Sequence, residues 1–236
     1  MAKIIAGNFK MNKTIKECRE YAIRFSGYKI PKNRNVILCP PAYALEMFNL
    51  TLGKTCSIGS QNVGKLEKGA LTGELSAEML KSAGVKYALV GHSERRNILL
   101  ESDEDVNKKA LLLESTGLIP IICIGEKLDE ISKKKSVLST QITKAIKGLN
   151  KDFIIAYEPV WAIGTGKTCD TDTISKTHEY IKDKVLKLTG RDVPILYGGS
   201  VKPSNAKLIL NTKYVDGVLV GGACLDTEEF YKIVTA

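Results

Sequence analysis

Eight short runs of apolar and β-branched residues recur along this chain of 236 residues, and they constrain its fold more than any other feature. They fall at residues 4–7, 36–39, 56–59, 87–90, 119–124, 153–157, 194–197 and 215–220. Most are apolar on both faces, the pattern of parallel strands covered by helices. Segments with apolar residues at helical spacing lie between them, at 14–25, 103–114, 136–149, 172–188 and 227–234. Shorter ones fall at 44–50, 76–82 and 205–210. Thr14 and Ser102 stand where N-caps belong, and Gly27, Gly117, Gly148 and Gly190 stand where helices stop. Eight strand–helix units at this length predict an α/β fold, a single-domain (β/α)8 barrel. An open doubly wound sheet shares the alternation. No Pro/Gly/Ser linker divides the chain, so residues 1–236 are expected to form one domain.

Composition narrows the class. Hydrophobic residues make up 44% and charged residues 26%, ordinary values for a globular chain. No apolar run approaches the ~20 residues that span a bilayer. The N-terminus turns polar at Asn8 without a signal-peptide pattern. A cytoplasmic protein without a membrane partner is expected. The six cysteines are scattered and form no C-x-x-C motif, and the two histidines lie far apart. Reduced thiols are expected rather than disulfides or a zinc site. The net charge is +9, but the lysines are dispersed. The densest run, Lys133-Lys134-Lys135, opens an amphipathic helix. No aromatic–basic interleaving of the kind that stacks bases accompanies it, so a small anionic substrate explains the sign better than nucleic acid.

In a barrel the chemistry belongs at the C-terminal ends of the strands. A period of two places Ile4, Ala6, Asn8 and Lys10 on one face of strand one. It places Ala88, Val90 and His92 together on strand four, and Ile154, Ala156 and Glu158 on strand six. If those faces point inward, an amide, an ammonium, an imidazole and a carboxylate converge at the barrel mouth. Singly, each has an ordinary structural explanation; together, at matching strand exits, they indicate a site. Tyr197-Gly198-Gly199-Ser200 follows strand seven and Gly221-Gly222-Ala223-Cys224 follows strand eight. Glycines there let backbone N–H groups approach an anion, and a short helix after Gly222 would aim its positive end at the same point.

Five motifs, in order, make the chain resemble the triosephosphate isomerase family over nearly its whole length. They are Gly7-Asn8-Phe9-Lys10-Met11-Asn12, Gly91-His92-Ser93-Glu94-Arg95-Arg96, residues 157–167 (YEPVWAIGTGK), residues 197–201 (YGGSV), and Leu219-Val220-Gly221-Gly222-Ala223. The resemblance implies a TIM barrel that interconverts D-glyceraldehyde 3-phosphate and dihydroxyacetone phosphate in glycolysis and gluconeogenesis, without cofactor. It implies Glu158 as general base and His92 as a neutral electrophile whose pKa is lowered by the helix starting at Ser93. Lys10 supplies fixed charge, Asn8 donates a hydrogen bond, and Glu94 matches the family acid beside the histidine. Gly164, Ser200, Gly221 and Gly222 are the implied phosphate contacts. Pro159, Val160 and Trp161 match the first hinge of a lid, and residues 164–167 its second. The segment 61–74 matches a loop that docks into a partner, with Thr72 near the neighbour's site, so a homodimer is implied.

The chain departs from the family pattern at Phe9, where tryptophan is usual, at Leu71, where phenylalanine is usual, and at Cys224, where serine is common. Cys169, just past the lid, suggests a thiol that couples oxidation to lid motion. Another phosphate-binding barrel enzyme, such as a different sugar-phosphate isomerase or an aldolase, is a rival reading. So is a non-catalytic binding protein.

Overall fold

The computed structural model describes residues 2–163 and 169–236. Its strands are β1 Lys3–Asn8, β2 Arg34–Cys39, β3 Ser57–Ser60, β4 Tyr87–Val90, β5 Ile119–Ile124, β6 Ile154–Tyr157, β7 Ile195–Tyr197 and β8 Gly217–Val220. Every pairing is parallel between neighbours in sequence, and β1 also pairs with β8 through Ile4–Gly217 to Gly7–Val220. That last ladder closes the sheet, which makes it a barrel and excludes the open doubly wound alternative.

The strands are apolar on both faces because each face is buried against something different. Ile4, Ala6, Ile37, Cys39, Leu89, Ile121, Cys123, Ile154, Ala156, Leu196 and Leu219 fill the barrel interior. Ile5, Leu38, Ile58, Val90, Ile122, Ile155 and Val218 belong to the larger layer between sheet and helices. The helices are α1 Ile15–Ser26, α2 Leu45–Leu52, α3 Ala77–Ser82, α4 Ser93–Asn97, α5 Asp103–Thr116, α6 Lys134–Ala145, α7 Thr171–Thr189, α8 Pro203–Leu210 and α9 Thr227–Val234, and all but the short polar α4 supply side chains to that layer.

Local sequence sets most of their ends. Thr14 and Glu17 form a capping box on α1, and Ser102 and Asp105 form one on α5. Gly117 and Gly190 close α5 and α7 in the left-handed conformation. The exception is α6, which starts at Lys134 and stops at Ala145, short of Gly148. Ile146 and Leu149 are buried, so the apolar pattern continues into a turn that is no longer helical. Phe9 is fully buried and meets Tyr21 edge-on at 4.8 Å and Phe48 at 5.6 Å. Its aromatic role is therefore packing beneath the barrel rim. Among the described residues no helix is long and apolar enough to cross a membrane.

Candidate active site

Strand β1 carries Ile4 and Ala6 into the interior and delivers Asn8, 4% exposed, to the mouth. The Asn8 side chain accepts the Lys10 N–H at 2.9 Å. Lys10 itself sits at φ +52°, a strained conformation for lysine. Gln61 holds it there by donating to the carbonyls of Lys10 and Cys39, each at 3.0 Å. The Lys10 ammonium pairs with Glu94 at 2.6 Å.

Strand β4 corrects the sequence reading. Its inward residue is Leu89; Ala88 and Val90 face the helices. By simple alternation His92 would point outward with them. Gly91 reverses this with φ +68°. A Cβ there would come within 2.7 Å of Val106 Cγ2 and 2.9 Å of an Arg96 guanidinium nitrogen. Gly91 is held on both sides: its N–H donates to Glu101 at 3.2 Å, and its carbonyl accepts from Arg96 Nε at 2.7 Å. Glu101 in turn is held by buried Lys109 and by Arg95. The turn resets the register, so the imidazole enters the mouth after all.

His92 caps α4, and its Nδ1 accepts the Glu94 N–H at 3.2 Å. That hydrogen bond assigns the neutral tautomer with the proton on Nε2. Nε2 lies 3.0 Å from Glu158 Oε1. The other carboxylate oxygen of Glu158 accepts the Ser93 N–H at 2.8 Å. Glu158 is 2% exposed. Burial works to raise its pKa, but His92, the Ser93 N–H and Lys10 outweigh burial and hold the carboxyl below the usual carboxylate range. Burial likewise works against the His92 imidazolium, yet the carboxylates of Glu158 and Glu94 raise its pKa on balance. The resemblance implied a lowered value. The rise stems chiefly from Glu158, with a smaller part from the Glu94 carboxylate, so it lessens when Glu158 turns to a substrate, and the Glu94 N–H on Nδ1 favours the neutral ring.

The rim opposite is built from backbone. Gly198 sits against Glu158, where a Cβ would lie 3.0 Å from Cγ. A Cβ on Gly199 would lie 2.2 Å from the Tyr197 hydroxyl. Ser200 Oγ donates to the Ala162 carbonyl at 2.7 Å, tying the rim to the segment after β6. Gly222 opens a 3-10 turn, Gly222–Leu225, after β8. Asn8, Lys10, His92, Glu158, Ser200, Gly221 and Gly222 line one cleft of about 420 Å³. Gly164 and the second lid hinge lie outside the described residues.

Glu126 escaped the sequence reading. It is fully buried, accepts from the Tyr157 hydroxyl and from Trp161 Nε1, each at 3.0 Å, and its carbonyl takes the Val160 N–H. It thus grips the chain on both sides of Glu158. The signal existed: it is a carboxylate just past a strand end, two residues beyond β5, as Glu158 is one residue beyond β6. Cys169 departs from expectation in the opposite sense. It is buried, and burial pushes its thiol up to about 11, so little reactive thiolate forms. Burial raises the Cys224 thiol as well.

Fold and site define a class: a (β/α)8 barrel enzyme with an imidazole and a carboxylate in contact at the mouth, facing a rim of backbone amides. The family model described as triosephosphate isomerase matches residues 3–236. Proteins named triosephosphate isomerase from Mesomycoplasma hyopneumoniae strain 7448 and Aquifex aeolicus are 41% and 42% identical to this chain, each comparison covering 99% of both proteins. One from Alkaliphilus metalliredigens is 43% identical over 98% of each. The chain belongs to the triosephosphate isomerase family.

Proposed function

We propose that this chain interconverts D-glyceraldehyde 3-phosphate and dihydroxyacetone phosphate, with Glu158 as the base and His92 as the electrophile. The observation that carries this is the 3.0 Å contact between His92 Nε2 and Glu158 on the cleft floor. Glu158 leaves His92 and the Ser93 N–H to take a proton from the carbon beside the substrate carbonyl. The electron pair left behind moves onto the carbonyl oxygen, giving an enediolate. His92 Nε2–H, released from Glu158, donates to that oxygen. Lys10 supplies fixed positive charge, and Asn8 orients the hydroxyl-bearing end. His92 gives its Nε2 proton to that oxygen and takes the proton of the neighbouring hydroxyl in return, while Glu158 returns its proton to the neighbouring carbon; the hydroxyl oxygen becomes the new carbonyl, and the reaction needs no cofactor. Ser200, Gly221 and Gly222 hold the phosphate, with Gly164 completing the contact.

The inner faces of β6 and β7 carry Ile154, Ala156 and Leu196, which argues against a Schiff-base aldolase. Turnover of glyceraldehyde 3-phosphate by the protein and by Glu158→Gln tests the reading. The variant is expected to lose roughly 10²- to 10⁴-fold in kcat, the range of a general base. Retention of full activity in the variant would sink the assignment.

The chain works as one domain over residues 1–236, in the cytoplasm, without nucleic acid or membrane partners, and as a homodimer. Supporting the dimer, a second cleft of about 580 Å³ opens beside Lys10, His92 and Glu94 and is flanked by exposed Met11, Ile98 and Leu99. In this reading the loop carrying Thr72 of a second copy docks there.

A further inference from the structure

We propose that Gln141, on α6 outside the barrel, is a positioning residue that sets the backbone of Glu158 through Gly125. Gly125 follows β5. Its N–H donates to Gln141 Oε1 at 2.8 Å, and its carbonyl accepts from Gln141 Nε2 at 3.0 Å. A side-chain amide therefore engages both polar groups of one peptide residue, as a neighbouring strand would.

The reason lies in the sheet. In a parallel ladder alternate residues direct their backbone groups to opposite neighbours. On the β6 side, the Ile124 carbonyl accepts the Glu158 N–H at 2.7 Å and the Glu126 carbonyl accepts the Val160 N–H at 3.1 Å. The intervening Gly125 turns its groups the other way. There β4 has ended: its last rung pairs Val90 with Ile122. Arg96 takes over at Cys123, donating to its carbonyl at 3.2 Å, and Gln141 takes over at Gly125.

Gly125 also touches the base directly. A Cβ on it would lie 1.7 Å from the Glu158 carbonyl oxygen and 2.7 Å from the carbonyl carbon. No side chain fits, so a shift of Gly125 is transmitted to Glu158. Gln141 is held firmly because α6 is anchored by buried Leu138, Ile142 and Ala145. Replacing the amide frees Gly125 to tilt. Glu158 then reaches the substrate carbon from the wrong place, while Ser200, Gly221 and Gly222 across the cleft keep their positions.

The inference rests on Glu158 being the base, so the test includes Glu158→Gln beside Gln141→Leu and Gln141→Glu. Gln141→Leu is expected to lower kcat roughly 10- to 100-fold, the scale of a misplaced catalytic group. KM and competitive inhibition by inorganic phosphate should stay within about twofold, because ground-state binding is untouched. Gln141→Glu keeps the acceptor for the Gly125 N–H and loses the donor, so its kcat should fall between Gln141→Leu and the parent. A kcat within about twofold of the parent in Gln141→Leu would overturn the inference, and so would a parallel loss of phosphate affinity in both variants. If Gln141→Leu yields no folded protein, Gln141→Glu decides by the same split between kcat and KM. Full activity in Glu158→Gln would instead remove the reading beneath it.

Discussion

His178 illustrates how a residue type misleads until its surroundings are known. It is one of two histidines, and it is fully buried in the core between Tyr157 and Tyr197. Its Nδ1 lies 3.1 Å from the Tyr214 carbonyl, and its Nε2 meets no hydrogen-bond partner among the described residues. Burial lowers its pKa from 6.5 to about 4. The unfolded chain therefore binds the proton first as pH falls. Stability from the neutral ring is whole above pH 6.5 and drains as pH falls toward 4, by about 3 kcal/mol in all. Urea midpoints between pH 7 and 4.5 should decline less steeply in His178→Gln than in the parent, and equal slopes would refute the assignment. The sequence could not rank the two histidines by type. Position ranked them: His92 lies two residues past a strand end and His178 lies within a helix.

At the scale of elements, the exit of β4 was read correctly for the wrong reason. Matching parity was expected to bring His92 inward beside Ala88 and Val90. The structure sends those two outward and uses Gly91 at φ +68° to turn the imidazole back. Gly91→Ala combines a left-handed conformation with contact against Val106 and Arg96. It should destabilise the protein by about 1–3 kcal/mol, measurable by thermal or denaturant unfolding. It should also lower kcat more than KM. Unchanged stability and activity would mean the turn relaxes freely. Asn8 and Glu158 need no such device, because each keeps the parity of its strand, whereas Lys10 beyond β1 is reached through its own left-handed turn at φ +52°. Periodicity is thus legible only while the backbone stays regular, and functional residues cluster where it stops being regular.

For the molecule as a whole, the closing β1–β8 ladder turns eight similar units into one mouth. Ile98 and Leu99, 73% and 61% exposed, line the second cleft beside that mouth, on the face proposed to meet a second copy. Ile98→Asp with Leu99→Lys should halve the mass found by light scattering and lower kcat, since Lys10, His92 and Glu94 line the cleft that the proposed partner would cover. A parent protein that is monomeric at assay concentration would end the dimer reading.

By itself the sequence determined the strand and helix succession, the caps at Thr14, Ser102, Gly117 and Gly190, and the strand-exit positions of Asn8, Lys10, His92 and Glu158. Each of these follows from interactions within a few residues, where side-chain period and backbone preference leave a local trace. Only the tertiary structure decided that the sheet closes, that Gly91 reverses β4, that Cys169 is buried, that Glu126 beyond β5 holds the chain on both sides of Glu158, and that Gln141 on α6 engages Gly125. Those depend on which surfaces meet across long stretches of chain. Gln141 and Gly125 are 16 residues apart, and nothing in the spacing says that an amide on a helix must stand in for a missing strand.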